Sequence, residues 1–141
     1  MHRILLEGGA FLFNVWDGLE RNPQGASTAR VFEELFPGDP EMQFAQIPYS
    51  WNDQQVIRQH LEAARFKDVT IEPVRFEIKA PTARTYAMGQ IRGTPRGALI
   101  EKKGRSVDDV IDQVAQGLAA VGGAEPFRAQ ASLLVIQAKA V

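Results

Sequence analysis

The sequence predicts an α/β fold, or α+β when these elements are taken by themselves: three mixed strands, flanking helices and a helical insertion. Three observations predict it. Ala10 to Trp16 is nearly continuous in apolar residues, the pattern of a strand covered by helices on both faces. Asn52 to Ala64 carries Val56, Ile57, His60, Leu61 and Ala64 on one stripe of a helix. Leu133 to Ile136 is apolar at four consecutive positions, which argues for an interior strand.

The chain has 141 residues, 45% hydrophobic and 23% charged, with a net charge of -1. That length supports one domain with a real core, here residues 1–141 with a lid-like helical insertion over 81–123. The near-zero charge gives no field that favours nucleic acid or an anionic membrane. There are no cysteines, which removes disulfides, thiol chemistry and cysteine metal sites. His2 and His60 are the two imidazole candidates. No apolar run approaches the ~18 residues of a membrane span. The Ile4-Leu5-Leu6 run, ended by Glu7-Gly8-Gly9, is too short for a signal peptide. The expectation is a cytoplasmic protein.

Residues 1–6 read as a helix end, and Gly8-Gly9 as a tight turn, because glycine reaches positive φ without steric cost. The strand at 10–16 follows. Residues 18–27 are turn-rich, and Thr28 to Phe36 predicts a short helix stopped by Pro37-Gly38-Asp39-Pro40. Phe44 to Trp51 is irregular and aromatic. Asn52 and Gln55 form a candidate capping box for the helix that ends near Arg65-Phe66.

Val69 to Lys79 predicts a strand with a fault. Val69 and Ile71 share one parity; Val74, Phe76 and Ile78 share the other. A one-residue slip turns every side chain over, so a bulge is required near Glu72-Pro73. Proline cannot donate to a ladder, so this strand is read as an edge.

Three helices are predicted next. Thr82 to Arg92 is broken at Gly93-Thr94-Pro95, a short helix precedes Lys102-Lys103-Gly104, and a third is capped by Ser106 with Asp108 and Asp109 in its first turn. Val107, Val110, Ile111, Val114, Leu118 and Val121 form the stripe of the third, which Gly122-Gly123 ends. Phe127 to Ala138 is the last strand.

The stretch Ile4-Leu5-Leu6-Glu7-Gly8-Gly9-Ala10-Phe11-Leu12-Phe13-Asn14-Val15-Trp16-Asp17 resembles the "R-x-L-x-P-G-G-x-F-L-F-N-V-W-D" stretch of class I S-adenosylmethionine-dependent methyltransferases. Asn52 to Phe66 is similar to that family's "D-x-x-x-I-R-x-x-L-x-x-A-G-F". Arg92-Gly93-Thr94-Pro95 resembles a turn in a small-molecule subgroup whose helical lid is inserted before the last strand. The resemblance covers essentially the whole chain. It implies the C-terminal part of a Rossmann-like sheet, in which the last strand lies between the other two. Glu7 replaces the family's proline, and Arg65 replaces a glycine, at a cost of ~1 kcal/mol if the position is left-handed. The family's first four strands, its Gly-rich cofactor turn and its ribose-binding acid have no counterpart in these residues. Gly8-Gly9 and Gly122-Gly123 do not replace that turn, since neither follows a strand and opens a helix.

The resemblance places Asn14, Trp16 and Asp17 on the substrate side, because ligands bind outside strand C-termini in open α/β sheets. The competing reading makes Trp16 core and Asp17 a strand end. Tyr49, Trp51 and Phe44 form an aromatic group that lines an apolar pocket or staples the helix entrance. His60 reads as a packed, hydrogen-bonded histidine. Arg92 and Arg96 are lid arginines that meet an anionic substrate or form surface salt bridges. Glu33-Glu34 and Asp108-Asp109 diverge on their helices and read as solvated charge. Lys102, Lys103 and Arg105 form a basic turn. Ser27, Ser50 and Ser132 lack the context of a nucleophile elbow.

Two functions follow. The first is the substrate-side half of a small-molecule methyltransferase, whose family uses S-adenosylmethionine although this chain alone is expected to bind none. The second is a non-enzymatic binding or dimerisation module, with a homodimer or a complementing N-terminal half as partner. Met1 is read either as the true start or as an internal methionine. An in-frame upstream strand followed by G-x-G-x-G separates the two.

Overall fold

The computed structural model describes residues 4–141. His2, and the first half of the helix end expected over 1–6, lie outside them. The elements are β1 (Ala10–Trp16), α1 (Pro23–Leu35), α2 (Gln54–Ala63), β2 (Phe66–Ala80), α3 (Ala83–Arg92), α4 (Arg96–Lys102), α5 (Val107–Gly122) and β3 (Phe127–Ala140). The sheet order is β1-β3-β2, so the last strand is the central one and β2 is an edge. β1 runs antiparallel to β3, with Ala10 opposite Lys139 and Trp16 opposite Leu133. Lys139 pairs with Asp68, and Arg128 with Glu77. One index rises as the other falls, so β2 also runs antiparallel to β3.

The contacts group into two compact units. The first holds residues up to Gly18, Ile47–Arg75 and Ser132–Val141. Its core is Ile57 and Leu61 of α2, Phe66, and Leu134, Ile136, Ala138 and Ala140 of β3, with Phe11, Phe13, Val15, Val69 and Ile71 packed against it. Burying a side chain such as Ile57 contributes roughly 1.5–3 kcal/mol. Gly8, at φ 77°, turns the chain into β1, and its amide donates to the Ala140 carbonyl at 2.9 Å.

The second unit holds Leu19–Gln46 and Phe76–Ala131. Its helices α1 and α3 both pack on α5. Val110, Ile111, Val114 and Leu118 of α5 are fully or almost fully buried, as are Phe32, Ala87 and Ile91. α1 and α5 approach closely at Gly117: a Cβ there would lie 2.9 Å from Ser27 Oγ and 3.0 Å from Val31 Cγ2.

Several expectations need correction. β1 is not covered on both faces. Phe11, Phe13 and Val15 are half-buried while Leu12 is 66% exposed, because its second face carries no covering helix among the described residues. α1 begins at Pro23, five residues before the predicted start at Thr28. Proline suits the first helical position, where its missing N–H would be unpaired anyway. Gly25 and Ser27 are buried helical residues, not turn residues.

The cap of α2 is Asp53, whose carboxylate accepts from the Gln55 and Val56 amides; Asn52 instead donates to the Tyr49 carbonyl. Val121 is 46% exposed and leaves the α5 stripe. The cap at Ser106 forms as predicted, and Thr82, expected within its helix, is the N-cap of α3. The parity change in β2 is real: Val69 and Ile71 are half-buried, Glu72 to Arg75 exposed, and Phe76, Ile78 and Ala80 half-buried.

Candidate functional site

The C-terminal end of β1 gathers four of the candidate residues. Trp16 is the last residue of the strand, and its ring lies 5.5 Å from that of Tyr49, tilted by 36°. Such a pair adds about 0.5–1.5 kcal/mol beyond area burial. Tyr49 is buried, so the irregular 44–51 segment is anchored there. Asp17, next in the chain, is 7% exposed. Its Oδ1 accepts from the Gly18 amide at 2.9 Å and its Oδ2 from Ser132 Oγ at 2.9 Å. The Asp17 amide in turn donates to the Ser132 carbonyl at 3.1 Å. Asp17 therefore ties β1 to β3. Asn14 is exposed on the open face of β1.

Trp51 is drawn elsewhere in the same unit. Its indole stacks on Phe13 with centroids 6.0 Å apart, and Nε1 donates to His60 Nδ1 at 3.2 Å. His60 is exposed, not packed on the apolar stripe; its δ nitrogen accepts the hydrogen bond from the Trp51 indole. Phe66, Phe11, Phe13, Trp51 and His60 follow one another as a continuous run of ring contacts. Tyr49 goes to Trp16, Trp51 to Phe13 and His60, and Phe44 to Phe32.

The arginines belong to the second unit. Arg92 pairs with Asp108 at 3.1 Å, both half-exposed. Arg96 lies 4.4 Å over the Phe44 ring and donates to the Phe44 carbonyl at 3.1 Å. Lys103 meets Asp39 at 2.7 Å and Glu41 at 2.8 Å. Its hydrogen bonds raise the lysine above its ordinary pKa and hold both carboxyls below theirs.

Sequence reasoning missed a buried polar group in that unit. Asn22, Gln24 and Thr28 are fully buried. Gln24 Nε2 donates to Asn22 Oδ1 at 3.3 Å, and Thr28 Oγ1 is 2.9 Å from Gln90 Oε1. Burial raises the pKa of Tyr86, while a hydrogen bond with Gln90 opposes the shift. The available signal was the i, i+4 spacing of Gln24 and Thr28, hidden by reading residues 18–27 as turns.

The residues present do not fit S-adenosylmethionine. Gly8-Gly9 leads into a strand and Gly122-Gly123 follows a helix, whereas a pyrophosphate- or cofactor-type cradle needs a glycine turn between a strand and a helix N-terminus. Among the described residues, no three His, Asp or Glu side chains are placed to hold a metal. No described helix is long and apolar enough to cross a membrane.

No family model and no curated protein matches the chain. Solved structures do. One, from Bacillus halodurans C-125 and described as a "putative methyltransferase", aligns at a TM-score of 0.48 with 11% identity. The alignment covers 98% of this chain and 58% of that one, so the present chain spans well under two thirds of its length. At that TM-score and identity the match transfers no activity, ligand or partner. The chain is an α/β arrangement of a three-stranded sheet with flanking helices.

Proposed function

We propose that this chain supplies the acceptor side of an S-adenosylmethionine-dependent methyltransferase for a small molecule, within a Rossmann-like sheet. The carrying observation is the sheet order: the last strand lies centrally and antiparallel to β1, the arrangement that the sequence resemblance implies. Trp16 and Tyr49 then stand at a strand C-terminus, where such sheets receive ligands, and Asn14 adds a polar group on the same strand. Trp51, on Phe13 and His60, stands apart from this pair, and Arg92 belongs to the helical insertion read as a lid. Methyl transfer is an in-line displacement in which orientation supplies much of the rate. The cofactor is held by residues outside this chain.

Trp51→Phe leaves Trp16 as the remaining tryptophan, a reporter at the proposed pocket. Titration of this variant with phenol is expected to give a saturable fluorescence change that Tyr49→Ala abolishes. A strictly linear quench overturns the acceptor-side reading. Calorimetry with S-adenosylmethionine is expected to show no binding at micromolar concentrations; a tight isotherm overturns the placement of the cofactor.

A second reading, a non-enzymatic binding or dimerisation module, is favoured by the open edge and open face of β1.

A further inference from the structure

The two edges of the sheet are built differently. β2 carries Lys67, Asp68, Glu72, Arg75, Glu77 and Lys79, all exposed, with Pro73 among them. Charges and proline are the devices that keep an edge strand from pairing with another chain. β1, with the sequence Ala10-Phe11-Leu12-Phe13-Asn14-Val15-Trp16, has no charge and no proline.

Its free hydrogen-bonding groups can be assigned. At one end the Asp17 amide donates to Ser132, and at the other the Gly9 carbonyl accepts from Ala140. The odd positions of β1 thus face β3. In an antiparallel ladder the groups alternate in direction, so the amides and carbonyls of Ala10, Leu12 and Asn14 point to the open edge. Leu12 also exposes its side chain, opposite the exposed Gln137 and diagonal to the half-buried Val135 on the same face. On the other face Phe11 and Phe13 stack with centroids 4.7 Å apart and are half-buried.

We infer that β1 is a dimerisation strand and that its occupant is β1 of a second copy, paired antiparallel about a two-fold axis at Leu12. This register sets Leu12 against Leu12 on one face and Phe11 against Phe13 on the other, the aromatic and aliphatic cross-strand pairs that stabilise sheets. A two-fold interface is self-complementary. An uncharged strand meets its own copy without repulsion. The flanking acids Glu7 and Asp17 fall at the ends of the ladder, beyond its paired residues 10–14, and Asp17 is held by Ser132 and the Gly18 amide; Lys139, beside Ala10, is paired with Asp68. The pairing joins the two sheets through main-chain hydrogen bonds, as in strand addition. This inference deepens the dimerisation reading above and excludes the acceptor-side one, in which further strands of the sheet would occupy the same edge of β1.

The test uses the whole 141-residue chain. Light scattering from 1 to 100 µM is expected to show a twofold mass. Leu12→Lys, at an exposed position, is expected to return the chain to monomer with an unchanged circular dichroism spectrum. The chain has no cysteine, so Leu12→Cys introduces a single one. Its Cα atoms would stand ~5.5 Å apart across the axis, within disulfide range, and oxidation should give a covalent dimer. Asn14→Cys would place them roughly 14 Å apart along the strands and should not. A monomer throughout, a dimer untouched by Leu12→Lys, or cross-linking at position 14 in place of 12 overturns the proposal.

Discussion

Ser132 Oγ donates to Asp17 Oδ2 at 2.9 Å across 115 residues of sequence. The bond fixes the end of β1 to the centre of the sheet, directly beside the Trp16–Tyr49 pair. Ser132→Ala removes a buried partner of a carboxylate, which costs about 1–3 kcal/mol. Urea denaturation should show that loss as a lower midpoint with an unchanged slope. Asp17→Ala, which removes both acceptor oxygens, should cost more.

Arg65 adopts φ 66° just after α2. It follows the C-terminal cap of the helix at Ala64 and precedes β2 directly. A side chain in the left-handed region costs roughly 1–2 kcal/mol; glycine avoids it but gives back about 0.5–1 kcal/mol of that in chain entropy. Arg65→Gly is expected to raise the stability by up to about 1 kcal/mol, seen as a Tm increase of ~2–4 °C by calorimetry.

Ser27 Oγ is buried with no hydrogen-bond partner and lies against Gly117. Ser27→Ala should therefore stabilise the chain by about 1 kcal/mol, since an unmet hydroxyl is removed without leaving a void of any size. Gly117→Ala should destabilise by ~1–3 kcal/mol through overpacking, in spite of alanine's better helix propensity. The double variant should recover much of that loss, so a double-mutant cycle by chemical denaturation should return a clear coupling.

The ions around Lys103 give a pH dependence. Lys103 holds the carboxyls of Asp39 and Glu41 below their ordinary values. Their stabilising contribution is present above the ordinary carboxylate range and is lost as pH falls through it and below. The lysine is raised, so its contribution is lost only at strongly alkaline pH. Between pH 6 and 3 the Tm of Lys103→Met should fall less steeply than that of the parent. Salt should shrink the difference, because all three groups are accessible to solvent.

Much of the fold was legible in the sequence. The 3.6-residue stripes of α2 and α5, the cap at Ser106 and the β2 parity fault depend on neighbours near in sequence. The start of α1 was not legible. Gly25, Ser27 and Thr28 have weak helix propensity, and what holds them helical is packing on α5 and the Thr28–Gln90 contact across 62 residues. The candidate site was legible in its residue types but not in its grouping. Tyr49 and Trp51 are two residues apart, yet one ring turns to Trp16 and the other to Phe13 and His60.

By itself the sequence determined the three strands, the interior place of the last one and the edge character of the charged, proline-bearing β2, because period and breaker residues act locally. Only the tertiary structure decided that, among the described residues, nothing covers the second face of β1, and that Asp17 is held by Ser132. An apolar run such as Ala10 to Trp16 records that a strand is favoured, since every residue in it suits an extended, pleated backbone. Which of its faces is covered depends on what the rest of the chain brings to it, and here α2 and Phe66 reach one face alone.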